Sequence, residues 1–265
     1  MHLDEIRLAI RPRNILECLD LAFLFWGRHF LGLTIAAALA LFPVIWLHLV
    51  WLAPSEDPYN FLLYACMEAP WVTLPITIYL GQITFSQRFS IKKAFQTFFA
   101  PRVFISLFLF LVLLRFICLI TIVLFPMVLL GMYYLNPIIL LEQPSVTQVW
   151  SRRSAMNSRT LARILAFVVT DFCILVAGYY FLSQLFRGIS SLWDGHYTFK
   201  LSSFPAEEWW TLVGWEELLA FWLTMCFIAV FRFITYLDCR IRREGWDVEL
   251  KLRAEASHFA HRESA

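Results

Sequence analysis

The sequence predicts an all-α fold: a polytopic membrane helix bundle of six transmembrane helices with three interfacial amphipathic helices. Three observations carry that prediction. Hydrophobic residues make up 60% of the 265 and charged residues only 16%, more apolar surface than one soluble core of this size can bury, so the excess faces lipid. The apolar residues fall in runs of about 20 or more, the length that crosses a bilayer at ~1.5 Å per residue. Finally, 19 of the 22 basic residues sit in four stretches between those runs, at 1–29, 86–102, 142–163 and 232–265. Basic segments beside a span resist translocation, which puts all four stretches and both termini on the cytoplasmic side. Only Arg115, Arg187 and Lys200 lie elsewhere.

The spans follow in order. The first, 30–53, is too long for a signal-peptide core and reads as a retained helix. The second is 59–85, and the loop before it, Pro54 to Pro58, carries Glu56 and Asp57 with no basic residue, as an outer loop should. One unbroken apolar block, Val103 to Leu141, is too long for one helix and divides into spans at 103–121 and 124–141, with the turn near Thr121 to Pro126. The fifth and sixth spans are 164–186 and 211–236. Residues 1–236 thus form one membrane domain and 237–265 a basic cytoplasmic tail. The external segment from Arg187 to Trp210 carries Trp193, Tyr197, Phe199, Trp209 and Trp210, rings suited to anchoring at the outer interface or to binding a partner.

A pattern precedes each pair of spans. Asn14, Ser90 and Ser145 are helix N-cap residues, able to accept a bond from an orphan backbone N–H. Each is followed by apolar residues at the spacing of one helical stripe: Ile15, Cys18 and Leu19; Ile91, Ala94 and Phe95; Val146, Val149 and Trp150. With Arg13, Lys92, Lys93, Arg152 and Arg153 alongside, each segment reads as a basic amphipathic helix in the inner interface. The plan is three units of one surface helix and two spans.

Charges inside the spans are the candidate functional residues, because a charge at the bilayer centre costs roughly 2.5 to 3.5 kcal/mol even on the lenient insertion scale. Glu68 in the second span and Arg115 in the third fall at similar depth and are expected to pair. Asp171 has no partner evident in the sequence, and Glu216 and Glu217 lie near the outer end of the sixth span. Proline interrupts several spans, at Pro43, Pro70, Pro75, Pro126 and Pro137, as tolerated kinks or as breaks that expose carbonyls.

Enzyme signatures are missing: the sequence has no HExxH, no glycine-rich phosphate loop, no GxSxG and no paired CxxC. The six cysteines are scattered and read as small apolar fillers rather than disulfides. His258 and His261 stand three apart in a polar tail, which suits solvation better than a metal. No catalytic residue, metal, cofactor or nucleic-acid partner is expected.

The strongest motif runs from Tyr236 to Asp247, Tyr-x-Asp-x-Arg-x-Arg-x-Glu-Gly-Trp-Asp in outline. Helix should continue out of the membrane to Glu244, with Gly245 stopping it and Trp246 returning to the interface. Asp238 and Arg242 are i,i+4 neighbours and can pair, whereas Arg240 and Arg243, with Arg242 and Trp246, are candidate contacts to lipid phosphates or a partner. Beyond Asp247, the residues suit a strand or a helix equally.

This ending, together with the opening Arg11-Pro-Arg and Asp20-Leu21, resembles bacterial six-span proteins related to the membrane domain of glycerophosphoryl diester phosphodiesterase. The resemblance implies a bacterial inner-membrane protein of surface helices and span pairs. It does not imply phosphodiesterase activity, because in two-domain members the chemistry belongs to a separate soluble barrel, and no catalytic residue carries over. The expected function is a scaffold or accessory subunit whose basic inner face recruits a membrane or cytoplasmic protein or anionic lipid. The alternative is a small-molecule or ion transporter using Glu68, Arg115 and Asp171.

Overall fold

The computed structural model describes residues 13–47, 58–85, 89–114, 117, 133–157, 161–193 and 215–244. In chain order the helices are α1 (Ile15–Arg28), α2 (Phe30–Leu47), α3 (Pro58–Phe85), α4 (Ile91–Phe98) and α5 (Pro101–Leu107, continued as a π-helix over Phe108–Leu114). They continue with α6 (Leu135–Pro137, extended as a π-helix over Ile138–Glu142), α7 (Val146–Asn157), α8 (Leu161–Trp193) and α9 (Trp215–Glu244). All regular structure among the described residues is helical, as expected.

Each expected cap stands directly before a helix. Asn14 precedes α1, and its own N–H donates to the Glu17 carboxylate at 3.0 Å, one arm of a capping box. Ser90 accepts from the Lys93 N–H at the start of α4. The Ser145 carbonyl takes the first bonds of α7, from the N–H groups of Gln148 and Val149. The apolar stripes then part company. Cys18 on α1 and Val149 on α7 are fully buried, whereas on α4 Ala94 packs against the core but Ile91 and Phe95 are exposed.

Two helices are long and apolar enough to cross a membrane, at residues 162–192 of α8 and 216–243 of α9. The number rises to four if α1 with α2, and α4 with α5, each form one bent span. Among the described residues this is fewer than the six spans expected, and much of the stretch expected to hold the third and fourth spans lies outside them. The bends have local causes. The chain turns by 89° at His29 between α1 and α2, and by 58° between α4 and α5, where Pro101 opens the second helix. Proline has no N–H to continue the preceding helix and is preorganised for the first turn of the next.

The core forms around α9. Trp222, Phe231, Phe233, Ile234 and Tyr236 are buried on successive sides of that helix, against α1, α2, α3 and α8. A second cluster joins Leu74 and Ile78 of α3 to Val103, Leu107 and Leu111 of the α5 segment, Leu135 and Ile139 of the α6 segment, and Val149 of α7. In contrast, α8 and α2 are two-faced. On α2, Leu33, Ala36, Ala37, Ala40 and Leu41 are buried, while Leu31, Ile35, Leu39, Phe42 and Trp46 form an exposed stripe. On α8 the exposed large residues are Leu165, Val169, Phe172, Phe181, Leu185 and Ile189. Contiguous apolar stripes of this size suit lipid rather than water.

A polar contact joins α3 to the α6 segment. Asn136, just before α6 turns into its π segment, donates to the Pro70 carbonyl at 2.9 Å and to the Thr73 hydroxyl at 2.8 Å. α3 itself runs unbroken through Pro70 and Pro75.

Candidate functional site

α8 and α9 run antiparallel, and three ion pairs cross between them. Arg163 Nη2 meets Asp238 Oδ2 at 2.6 Å, Arg232 Nε meets Asp171 Oδ2 at 2.6 Å, and Arg187 Nε meets Glu217 Oε1 at 2.7 Å. As the α8 member advances from 163 to 171 to 187, its partner on α9 recedes from 238 to 232 to 217. The pairs are therefore rungs of one ladder. Signs alternate along it: α8 presents positive, negative, positive, and α9 the complement. Displacing either helix by about one rung brings like charges together, so the ladder specifies register as well as contact.

Length places the rungs. From Arg163 to Arg187 the helix rises about 36 Å at 1.5 Å per residue, a little more than the ~30 Å hydrocarbon core of a bilayer. The end rungs therefore suit the two interfaces and the Asp171–Arg232 rung the region between them. In every rung the carboxylate is the deeper group. Side-chain exposures are 0, 5 and 7% for Asp238, Asp171 and Glu217, against 23, 35 and 47% for Arg163, Arg232 and Arg187. The arginine stems run out toward the surface while each guanidinium holds its acid. The Arg232 guanidinium also lies over the Tyr133 ring, 5.0 Å from its centroid.

The Arg163–Asp238 end is elaborated into a knot. Asp238 Oδ1 accepts the Arg13 N–H at 2.7 Å, while Oδ2 accepts from Arg163 and from Arg242 Nε at 3.1 Å. Arg163 and Arg242 each also donate through Nη2 to the Arg13 carbonyl at 2.7 Å. Both backbone polar groups of Arg13 are thus held by side chains from α8 and α9, which fixes the start of α1 against the end of α9. Cys18 packs beside this knot. Burial, reinforced by the Asp238 charge, pushes its thiol up to about 11.

A neighbouring set surrounds Glu142, at the end of the α6 segment, where Gln143 adopts a left-handed conformation with φ of 47°. Tyr236 Oη donates to Glu142 Oε1 at 2.8 Å, and Arg240 and Arg152 each approach its carboxylate at 3.7 Å. Arg243 donates to the Ala155 carbonyl of α7.

The expected site residues are therefore distributed differently from the sequence reading. Asp171, which had no evident partner, is paired with Arg232, the first residue of the basic stretch 232–265, within the sixth expected span. Arg187, assigned to the external loop, lies within α8, which continues to Trp193, and holds Glu217; Glu216 is half-buried beside it. The Asp238–Arg242 pair forms as expected, but Arg240, Arg242 and Arg243 all turn to protein acceptors rather than outward to lipid. Glu68 is half-buried in α3 two residues before Pro70, while Arg115 lies outside the described residues, as do Gly245, Trp246 and Asp247. α9 is helical to Glu244, the last residue described in this part of the chain, so the expected stop at Gly245 lies outside the described residues. The signal that could have found the ladder was the reversed order of opposite charges in the last two apolar stretches.

Chemically, the arrangement holds helices together; among the described residues no group of three or more His, Cys, Asp and Glu could bind a metal. Comparisons with protein-family models, with curated proteins and with solved structures find no match for this chain.

Proposed function

We propose that the protein is a non-catalytic scaffold or accessory subunit of the bacterial inner membrane, with six spans, both termini cytoplasmic, and a basic inner face that recruits a partner protein or anionic lipid. The observation that carries this reading is the ladder. Asp171 and Glu217, carboxylates that a transport path along the last two spans would use, are each held by an arginine of the neighbouring helix. An intramembrane charge committed to a pair is costly to free, which favours a fixed frame over a conducting path. The right-angle bend between α1 and α2 and the three helices that begin after Asn14, Ser90 and Ser145 support the plan of surface helices feeding spans, and the resemblance at the two chain ends points the same way.

Two measurements test it. Reporters fused after Arg152 and at Ala265 should both face the cytoplasm; opposite faces would overturn the six-span plan. Gentle purification from native membranes should retain a stoichiometric protein or anionic lipid. Substrate uptake into proteoliposomes that Asp171→Asn abolishes would replace the scaffold reading with transport.

A further inference from the structure

The cations of the inner face divide sharply. Arg13, Arg152, Arg163, Arg240, Arg242 and Arg243 all have partners within the protein. Arg28, Lys92, Lys93 and Arg102 are exposed, as solvated cations usually are. Arg153 belongs to neither group. It lies on the inward face of α7, one turn from fully buried Val149 and three residues from buried Met156. Its Nε is buried and has no hydrogen-bond partner. Burial pulls its guanidinium below the ordinary arginine range, and among the described residues no carboxylate opposes that pull.

The guanidinium is nevertheless held in place. Its carbon lies 4.3 Å from the centroid of the Trp150 ring, one turn back on the same helix. Trp150 is 39% exposed, so the pair sits at the edge of the protein rather than within it. An indole at the boundary with a cation on its face suits headgroup depth, where aromatic rings concentrate and an arginine fork can take two phosphate oxygens. The position along the chain agrees: α7 directly precedes α8, whose Arg163 marks the inner end of the ladder.

We propose that Arg153, oriented by Trp150, binds the phosphodiester of an anionic phospholipid at the inner edge of α7. The charge of this half-buried side chain calls for an anion, which the occluded Nε does not reach but the exposed part of the guanidinium can. A lipid phosphate at the protein boundary supplies that anion without a carboxylate from the chain. This deepens the scaffold reading and rests on the protein being integral to the membrane. It also moves the lipid contact away from Arg240, Arg242 and Arg243, whose guanidinium groups are engaged internally.

The test uses the full-length protein in detergent, incubated with phosphatidylglycerol or phosphatidylcholine, with bound lipid counted by native mass spectrometry. The wild-type protein should retain phosphatidylglycerol in preference. Arg153→Gln should weaken that retention by about five-fold, the effect of one cation near an anionic surface, and Arg153→Lys should keep only part of it. Should Arg153→Gln not fold, Trp150→Ala decides, because loss of the ring should weaken retention in the same direction. Equal retention by Arg153→Gln, as expected if a carboxylate of the chain itself fills the place, would overturn the proposal, as would equal retention by Trp150→Ala or equal binding of the two lipids. A separate outcome, wild-type protein washed from membranes by alkaline carbonate, would instead remove the membrane reading beneath it.

Discussion

Asp171 and Arg232 meet at 2.6 Å across α8 and α9, and the two are unequally placed, the acid 5% exposed and the arginine 35%. That inequality makes the two single substitutions differ. Arg232→Leu strands a carboxylate in the interior, whereas Asp171→Leu leaves a guanidinium whose long stem can carry it toward the nearer interface, about 9 Å along α9 at Asp238. Arg232→Leu should therefore be the more damaging, costing about 3–5 kcal/mol of unfolding free energy, with Asp171→Leu milder and the double leucine variant recovering most of the loss. Denaturant unfolding in micelles checks the order; a double variant no better than Arg232→Leu would refute the pair.

Gly178 provides a second handle on the same interface. A Cβ at this position would lie 2.8 Å from Thr224 Cγ2, closer than real Cβ contacts come. Gly178→Leu should destabilise the α8–α9 pair by about 1–3 kcal/mol through overpacking. Gly178→Ala should be milder and relieved by Thr224→Ser, which removes the offending methyl but keeps the hydroxyl bonded to the Ala220 carbonyl. Melting temperatures of the three variants test this; an unrelieved Gly178→Ala would point to a different contact.

Cys18 reports on the Arg163–Asp238 knot. With its thiol pushed up to about 11, the thiolate fraction at pH 8 is roughly one in a thousand, and maleimide labelling should be slow, because the thiolate is the nucleophile. Asp238→Asn removes a charge that raises this value and loosens the hold on Arg13. Labelling of Cys18 should then speed up at the same pH. Unchanged kinetics would mean that the start of α1 is held by something other than Asp238.

The exposed stripe of α8 should touch acyl chains. A bromolipid-quenching experiment with tryptophan placed at Phe172 or Phe181 should show strong loss of emission, and one at Phe167, buried against Phe231, little. Equal quenching at all three sites would place α8 away from the bundle.

Much of this architecture was legible in the chain itself, for physical reasons. Apolar run length and flanking charge are local properties, so the fifth span, read as 164–186, falls between Arg163 and Arg187, the two end rungs of α8. Capping is local too, and Asn14, Ser90 and Ser145 each precede a helix. Pairing is different. Which charges meet depends on how two helices rotate and slide against each other, and that is settled by side chains such as Gly178 and Thr224, far from any motif. By position along the chain Arg232 belongs to the basic stretch 232–265, yet its neighbours Phe231, Phe233 and Ile234 are apolar and α9 carries it back to Asp171. The alternating charge on α8 and α9 was present in the sequence, but only the antiparallel fold turns it into rungs.

The tie between Arg13 and Asp238 spans 225 positions. Synthesis delivers the first of these residues 225 positions before the second, so α1 cannot be seated against Asp238 until α9 has been made. A ribosome stalled before α9 would release a product whose α1 hangs loose in the cell, where proteases can tell it from the finished molecule.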